Sequence, residues 1–330
     1  MPEKSLDVVA IGNAIVDVLA RSDQAFLDAH GMVKGSMQLV DQDVSEAIYA
    51  DMGPGTETSG GSAANTAAGL ASFHSRVAFI GKVRDDQLGQ VFAHDIRSIG
   101  VEFDVPPATT GPTTARCLVL VTSDAQRTMS TYLGASSLIG PDDVDADLVA
   151  RAKVVFCEGY LWDMPDAKAA LVKGMDVAAA SGGKVAFSLS DSFCVERHRD
   201  EFLGLVEEKI DILFANQAEI CSLYQTESWD EAAAHVSNHV EIACLTRSEH
   251  GSTIATADGE RVEVPAQMLR RVVDTTGAGD LYAAGFLHGL THDRPLPVCG
   301  RLAALAAAEV ISHVGARPQV TLAGLESSRL

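Results

Sequence analysis

Apolar residues fall along the chain in short β-rich runs that alternate with longer stretches of helical spacing. The runs at 153–157 (Lys-Val-Val-Phe-Cys) and 211–215 (Asp-Ile-Leu-Phe-Ala) are too apolar for half-exposed strands and suit a buried parallel sheet. Further strands are predicted at 6–12, 36–41, 76–83, 116–122, 127–133, 184–189 and 241–246. Helices are predicted at 63–72, 86–99, 165–181, 217–224, 278–292 and 295–313. The alternation implies βαβ crossovers and hence a doubly wound, mostly parallel α/β sheet flanked by helices. Two regions break the rhythm. Segments 116–122 and 127–133 alternate faces around a turn at 123–126, and 22–55 mixes short helix-like and strand-like pieces. These predict a small antiparallel β-lid, formed by about 18–45 and 113–134, on a single domain spanning 1–330. The last residues, 325–330, are expected to fray.

Charge narrows the partners. The 330 residues carry a formal net charge of −20, with 47% hydrophobic and 21% charged residues, a globular balance rather than a disordered one. No Lys/Arg cluster offers a nucleic-acid footprint, so none is expected as a partner. The polar N-terminus and the absence of a long apolar run imply no membrane association and a cytoplasmic protein. Six scattered cysteines, with no C-x-x-C pair, read as reduced thiols. His235 and His239 share a helix face but lack the Glu of a zinc-protease motif. An anionic ligand must therefore be held by local features.

The strongest local feature is Asp274-Thr-Thr-Gly-Ala-Gly-Asp280, which opens an apolar helix just after a β-like stretch. Small residues at Gly277, Ala278 and Gly279 let unpaired backbone N–H groups of the first turn face an anion, aided by the helix dipole. Asp280, kept ionised by the same dipole, is placed to accept a proton from an attacking hydroxyl. A plain helix cap and tight turn is the other reading of so short a motif. Ser59-Gly60-Gly61-Ser62-Ala-Ala-Asn65 leads into another helix: the glycines allow close approach of a ligand, and Asn65 offers a donor and an acceptor to a polyol. An N-cap at Ser62 explains the same residues without a ligand. Gly12-Asn13-Ala-Ile-Val-Asp17 follows the first strand, at the end where doubly wound sheets bind ligands, and Asp17 suits vicinal hydroxyls or an exposed turn. Asn216-Gln-Ala-Glu219 has capping-box spacing, with Glu219 also placed to meet a hydrated Mg²⁺. Thr246 to Gly251 follows a strand as a nucleotide-edge loop or an ordinary turn.

In this order, these pieces resemble the ribokinase-like (PfkB-type) carbohydrate kinase family over nearly the whole chain. Asp274 to Asp280 matches the family's D-T-x-G-A-G-D motif, Gly60 to Asn65 its N-terminal glycine motif, and Asn216 to Glu219 its N-x-x-E motif. Thr246–Gly251 is similar to a T-x-G-x-x-G loop, with Arg247-Ser248 departing from it. The resemblance implies ATP-dependent phosphorylation of a primary alcohol on a sugar or nucleoside, with Asp280 as base and Gly277, Ala278 and Gly279 as anion hole. It implies that Asn13, Asp17, Gly60, Gly61, Ser62 and Asn65 bind substrate, that Asn216, Thr246, Gly251 and Thr276 bind ATP, and that Glu219 organises Mg²⁺ through water. It leaves room for K⁺ near Asp274 and Thr276. The long gap between Asp17 and Gly60, the text of 26–40 and Arg127 resemble the adenosine-kinase branch, with Arg127 on the substrate side. Met37, Leu39, Leu133 and Leu138 are the expected apolar walls, and Gly134-Ala-Ser136 departs by its Ser. The implied reaction is adenosine to AMP; a free sugar such as ribose or fructose is the alternative substrate, and a catalytically inactive ligand-binding regulator the alternative class. Monomer and homodimer both remain open.

Overall fold

The computed structural model describes residues 3–124 and 126–329. Met1, Pro2, Ala125 in the predicted turn and Leu330 in the segment predicted to fray lie outside them. Among the described residues, thirteen strands form two sheets. The strands are β1 Leu6–Ile11, β2 Ile15–Arg21, β3 Met37–Leu39, β4 Gly55–Gly60, β5 Val77–Ile80, β6 Ala115–Val121, β7 Arg127–Tyr132, β8 Ala152–Glu158, β9 Lys184–Ser188, β10 Ile212–Asn216, β11 Ile242–Thr246, β12 Ser252–Thr256 and β13 Arg261–Val264.

The larger sheet runs β13-β12-β11-β10-β9-β8-β1-β5. It is parallel from β5 to β11, with β12 and β13 added antiparallel. Both faces are buried, which explains the continuous apolar runs. Val8 and Ala10 of β1, with Val154 and Phe156 of β8, face one core. Val9 and Ile11, with Val155 and Cys157, face the other. The predicted helices appear with ends shifted by a few residues at most, for example Ser62–Ser72, Ala278–Thr291 and Leu296–Val310. Ser192–Glu208 and Trp229–Ser237 are additional helices. Residues 325–329, expected to fray, extend the helix Leu322–Arg329, which is anchored by buried Leu322 and by Glu326 beside His288.

The smaller sheet runs β3-β7-β6-β2-β4. The predicted hairpin is its antiparallel β6–β7 pair, but β2–β6 and β3–β7 are parallel, so the sheet is mixed rather than wholly antiparallel. The chain leaves β2, passes through β5 in the larger sheet, and returns to lay β6 beside β2 in the same direction. The sheet also starts earlier than 18 and includes β4 beyond 45. All six cysteines are free thiols. No helix among the described residues is long and apolar enough to cross a membrane.

Candidate active site

The carboxyl ends of β1, β8, β10 and β11 point the same way, and the smaller sheet stands over them. Between them lies a cavity of about 1290 Å³. It gathers Asp17, Gly61, Ser62, Asn65, Arg127, Asn216, Glu219, Thr246, Gly251 and the whole stretch 275–280. Residues far apart in sequence thus meet at the switch side of the sheet.

Gly277 caps the Ala278–Thr291 helix in a left-handed conformation, φ 78°. A Cβ there would stand 2.8 Å from the Cβ of Ala316, so only glycine fits. The turn folds the Ala278 N–H back onto Thr275 O at 3.2 Å. Gly277, Ala278 and Gly279 all line the cavity, with the Ala278 N–H bonded within the turn. Asp274 braces the loop: its Oδ1 accepts from Thr276 N (3.1 Å) and Thr276 Oγ1 (2.8 Å), and its Oδ2 accepts from Gly315 N (3.1 Å).

Asp280 sits in the first turn. Its Oδ1 accepts from Ser62 Oγ at 2.7 Å and its Oδ2 from Asn65 Nδ2 at 3.0 Å. Thr66 Oγ1 donates to its backbone carbonyl at 3.1 Å, tying the two helices together. Gly61, φ 98°, is the N-cap of the Ser62–Ser72 helix, which frees Ser62 to reach Asp280. Burial pushes the Asp280 carboxyl up to about 6, against the pull of Ser62, Asn65 and Arg317. It is still mostly ionised at neutral pH, but desolvation, not the helix dipole, dominates its environment. Asn65 is 5% exposed, and its Oδ1 is buried with no partner among the described residues, so it faces the cavity with an acceptor to spare. Asp17 on β2 is likewise pushed up to about 6 by burial, with Arg317 and Arg127 opposing and Asp280 adding to the rise.

Two expected substrate-binding residues, Asn13 and Gly60, are placed outside the cavity lining. Asn13 is buried outside the cavity lining, and its side chain is committed: Nδ2 donates to Glu158 Oε1 at 2.7 Å, and Oδ1 accepts from Ser136 Oγ at 2.8 Å. Gly60 also lies outside the lining; a Cβ there would meet Asp17 Oδ2 at 2.3 Å, so its role is to leave room for that carboxylate. Arg127 lines the cavity, yet its Nη1 pairs with Asp274 Oδ2 and donates to Thr276 Oγ1 at 3.1 Å, joining β7 to the anion loop. Its Nη2 is buried and open. The expected apolar walls are elsewhere as well. Met37, Leu39 and Leu138 are exposed, and Leu39 and Leu133 border a separate shallow recess. The cavity wall of the smaller sheet is instead Ile15, Leu19, Cys117, Val119 and Met129.

Two residues missed in the sequence complete the site. Glu158 ends β8 fully buried; its carboxylate accepts from Asn13 N (2.8 Å) and Ala63 N (2.7 Å), fixing both ligand-facing loops. Burial pushes it up to about 7. Arg317 lines the cavity near Asp17 and Asp280, and burial pulls its guanidinium down to about 10. On the opposite side, Asn216 and Glu219 form the predicted capping box, with Asn216 N to Glu219 Oε2 at 2.9 Å and Glu219 N to Asn216 Oδ1 at 3.0 Å. Arg247 turns away from the cavity, its guanidinium 4.7 Å from the Trp229 ring centroid.

A model of the pfkB family of carbohydrate kinases matches residues 36–322, which takes in this entire arrangement except the segment up to β2. The chain belongs to that family. As a PfkB kinase it uses ATP to phosphorylate a sugar or a nucleoside. It is 50% identical to a solved structure described as adenosine kinase from Sinorhizobium meliloti, with a TM-score of 0.91 and coverage of 98% of this chain and 99% of that one. It is 47% identical to a probable sugar kinase from Rhizobium etli CFN 42, TM-score 0.92, covering 98% of each. Among curated relatives, 5-dehydro-2-deoxygluconokinase of Geobacillus kaustophilus (strain HTA426) is 27% identical over 98% of this chain and 93% of its own.

Proposed function

We propose that this PfkB kinase transfers the γ-phosphoryl group of ATP to the 5′-hydroxyl of a ribonucleoside, adenosine in the first instance. The observation that carries a nucleoside over a free sugar is the wall of Ile15, Leu19, Cys117, Val119 and Met129 beside Asp17. A free sugar presents hydroxyls all round and would leave that wall unmatched, whereas a nucleobase buries against it. The 50%-identical neighbour described as an adenosine kinase supports the same choice.

Asp17 and the open Oδ1 of Asn65 take the ribose hydroxyls and aim the primary alcohol at Asp280. Asp280 accepts the hydroxyl proton as the oxygen bonds to phosphorus and the bond to ADP breaks. The N–H groups of the Gly277, Ala278 and Gly279 turn take the charge on the transferring group. The smaller sheet, acting as a lid, keeps water from competing for the phosphoryl group. Thr246, Gly251, Asn216 and Thr276 border the ATP side.

A magnesium ion fits this site only through water. No group of three or more His, Cys, Asp or Glu able to hold a metal occurs among the described residues. Glu219 is a buried carboxylate bonded only within its capping box and pushed up to about 7 by burial, a group that gains from a nearby divalent cation. Mg²⁺ bound there would neutralise charge on the β- and γ-phosphates. A potassium ion ligated by the Asp274 carboxylate does not fit, because its oxygens already take Thr276, Gly315 and Arg127.

The second reading, a sugar or sugar-acid kinase, is favoured by the curated relatives. A panel of adenosine, ribose, fructose and 5-dehydro-2-deoxygluconate, with ADP formation as readout, separates the two. Adenosine is expected to give the highest kcat/KM; turnover of a sugar with none of adenosine overturns the nucleoside reading.

A further inference from the structure

Arg317 is a cavity-lining cation to which the steps above give no task. Its Nη2 donates to Ser59 Oγ at 2.9 Å, and Ser59 donates through both Oγ and N to Asp95 Oδ2. That chain fixes the guanidinium from behind. Its Nε and Nη1 are shut off from solvent and have no partner among the described residues. Buried donors without acceptors are costly, and a guanidinium cannot escape the cost by losing its proton. Such a group is waiting for an acceptor that a ligand brings.

Its surroundings say which. Ala316, its chain neighbour, packs on Gly277 of the anion loop, and Gly315 N bonds to Asp274. Ser59 sits just ahead of the turn that presents Ser62 and Asn65 to Asp280. Arg317 therefore lines the same cavity as the anion loop, Asp17 and Asp280, within reach of their charge. An unphosphorylated alcohol is neutral and has these two carboxylates as acceptors. Once the phosphoryl group is on that oxygen, close to two negative charges sit beside both carboxylates, and a fixed cation is required there.

We infer that Arg317 binds the phosphoryl group as it arrives on the acceptor oxygen, donating hydrogen bonds to it in the transition state and in the product ester but not to the unphosphorylated substrate. The transfer keeps its balance: the bond to ADP breaks, the bond to the acceptor oxygen forms, the hydroxyl proton goes to Asp280, and Arg317 exchanges no proton. The inference rests on Asp280 marking the acceptor oxygen and holds for a nucleoside or a sugar.

The test is calorimetric titration of wild type, Arg317→Gln and Arg317→Lys with adenosine and with AMP, in the absence of ATP. Arg317→Gln is expected to weaken AMP by a factor on the order of 10–100, the loss of a charge-assisted hydrogen bond, and to leave adenosine unchanged. Arg317→Lys is expected to restore most of the AMP affinity. Equal weakening of both ligands, or no weakening of AMP, overturns the assignment. If Arg317→Gln does not fold, Asp95→Asn loosens the Ser59 tether and gives the same readout: selective loss of AMP supports the role, and parallel or no loss overturns it. If the substrate panel returns a sugar instead of adenosine, ribose and ribose 5-phosphate are the probe pair, so failure of the nucleoside reading is seen separately from failure of Arg317.

Discussion

Ser62→Ala isolates one hydrogen bond to the proposed base. Ser62 Oγ donates to Asp280 Oδ1 at 2.7 Å, and this bond holds down a carboxyl that burial pushes up to about 6. A hydrogen bond to a charged group is worth about 1.5–3 kcal/mol. At about 1.4 kcal/mol per tenfold change in the protonation equilibrium, its loss would raise the carboxyl by one to two pH units. Asp280 also faces the cavity, where water replaces part of the lost bond, so the lower end is expected. The acid limb of kcat/KM should move from about pH 6 to about pH 7. The base acts only when ionised, so the variant loses most activity, relative to its own plateau, near pH 6 and least above pH 8. The assay is initial-rate product formation from pH 5 to 9, followed directly to avoid coupling enzymes that titrate in the same range. The position of the limb is diagnostic, not the plateau height. A plateau that drops while the limb stays in place would refute both the bond's influence and the role of Asp280 as the titrating base.

Asp280→Asn keeps the size and most contacts of the side chain but cannot accept a proton; kcat is expected to fall by a factor on the order of 10²–10⁴ while substrate affinity by calorimetry changes little, and near-normal turnover would remove the base assignment. Ligand-free stability has an unusual sign. Burial raises Asp17 and Asp280 (to about 6) and Glu158 and Glu219 (to about 7) above the ordinary values of 3.8 for Asp and 4.5 for Glu. Between these values the folded chain binds more protons than the unfolded one, so stability falls as pH rises from about 4 and the loss is complete a little above about 7. Tm should be higher at pH 5.5 than at pH 8, and the reverse order would show that burial does not govern these four groups.

Much of the larger sheet was legible because its parallel strands are buried on both faces and carry apolar runs that nothing else needs. The smaller sheet was harder. β4 reads Gly-Thr-Glu-Thr-Ser-Gly, with no strand signal of its own, and becomes a strand only because β2 pairs with it. β12 and β13 lack a signature for the same reason: they add to an edge that local sequence does not reveal. In the site, Asp280, Asp17 and Asn65 drew attention because glycine-containing turns at strand-to-helix or strand-to-strand junctions carry them, although each turn alone also reads as an ordinary cap or loop. The Asn13–Glu158 bond was not legible, because a polar residue after a strand looks the same whether it meets a ligand or a buried carboxylate. Glu158 had a signal in hindsight, a carboxylate closing the apolar strand β8 at its carboxyl end. Arg317 had none, since only tertiary folding brings it to Ser59.

Opposite charges relate the smaller sheet to loops of the main body in two ways, one an ion pair and one a longer-range influence. Asp17 on the smaller sheet lies under the influence of Arg317 on the main body, while Arg127 on the smaller sheet pairs with Asp274 on the main body. The polarity is crossed: acid over base at one point, base over acid at the other. If the sheet slid along until either member met the wrong partner, carboxylate would face carboxylate and guanidinium would face guanidinium. The crossed charges therefore disfavour a slid position of the smaller sheet more than they hold the seated one.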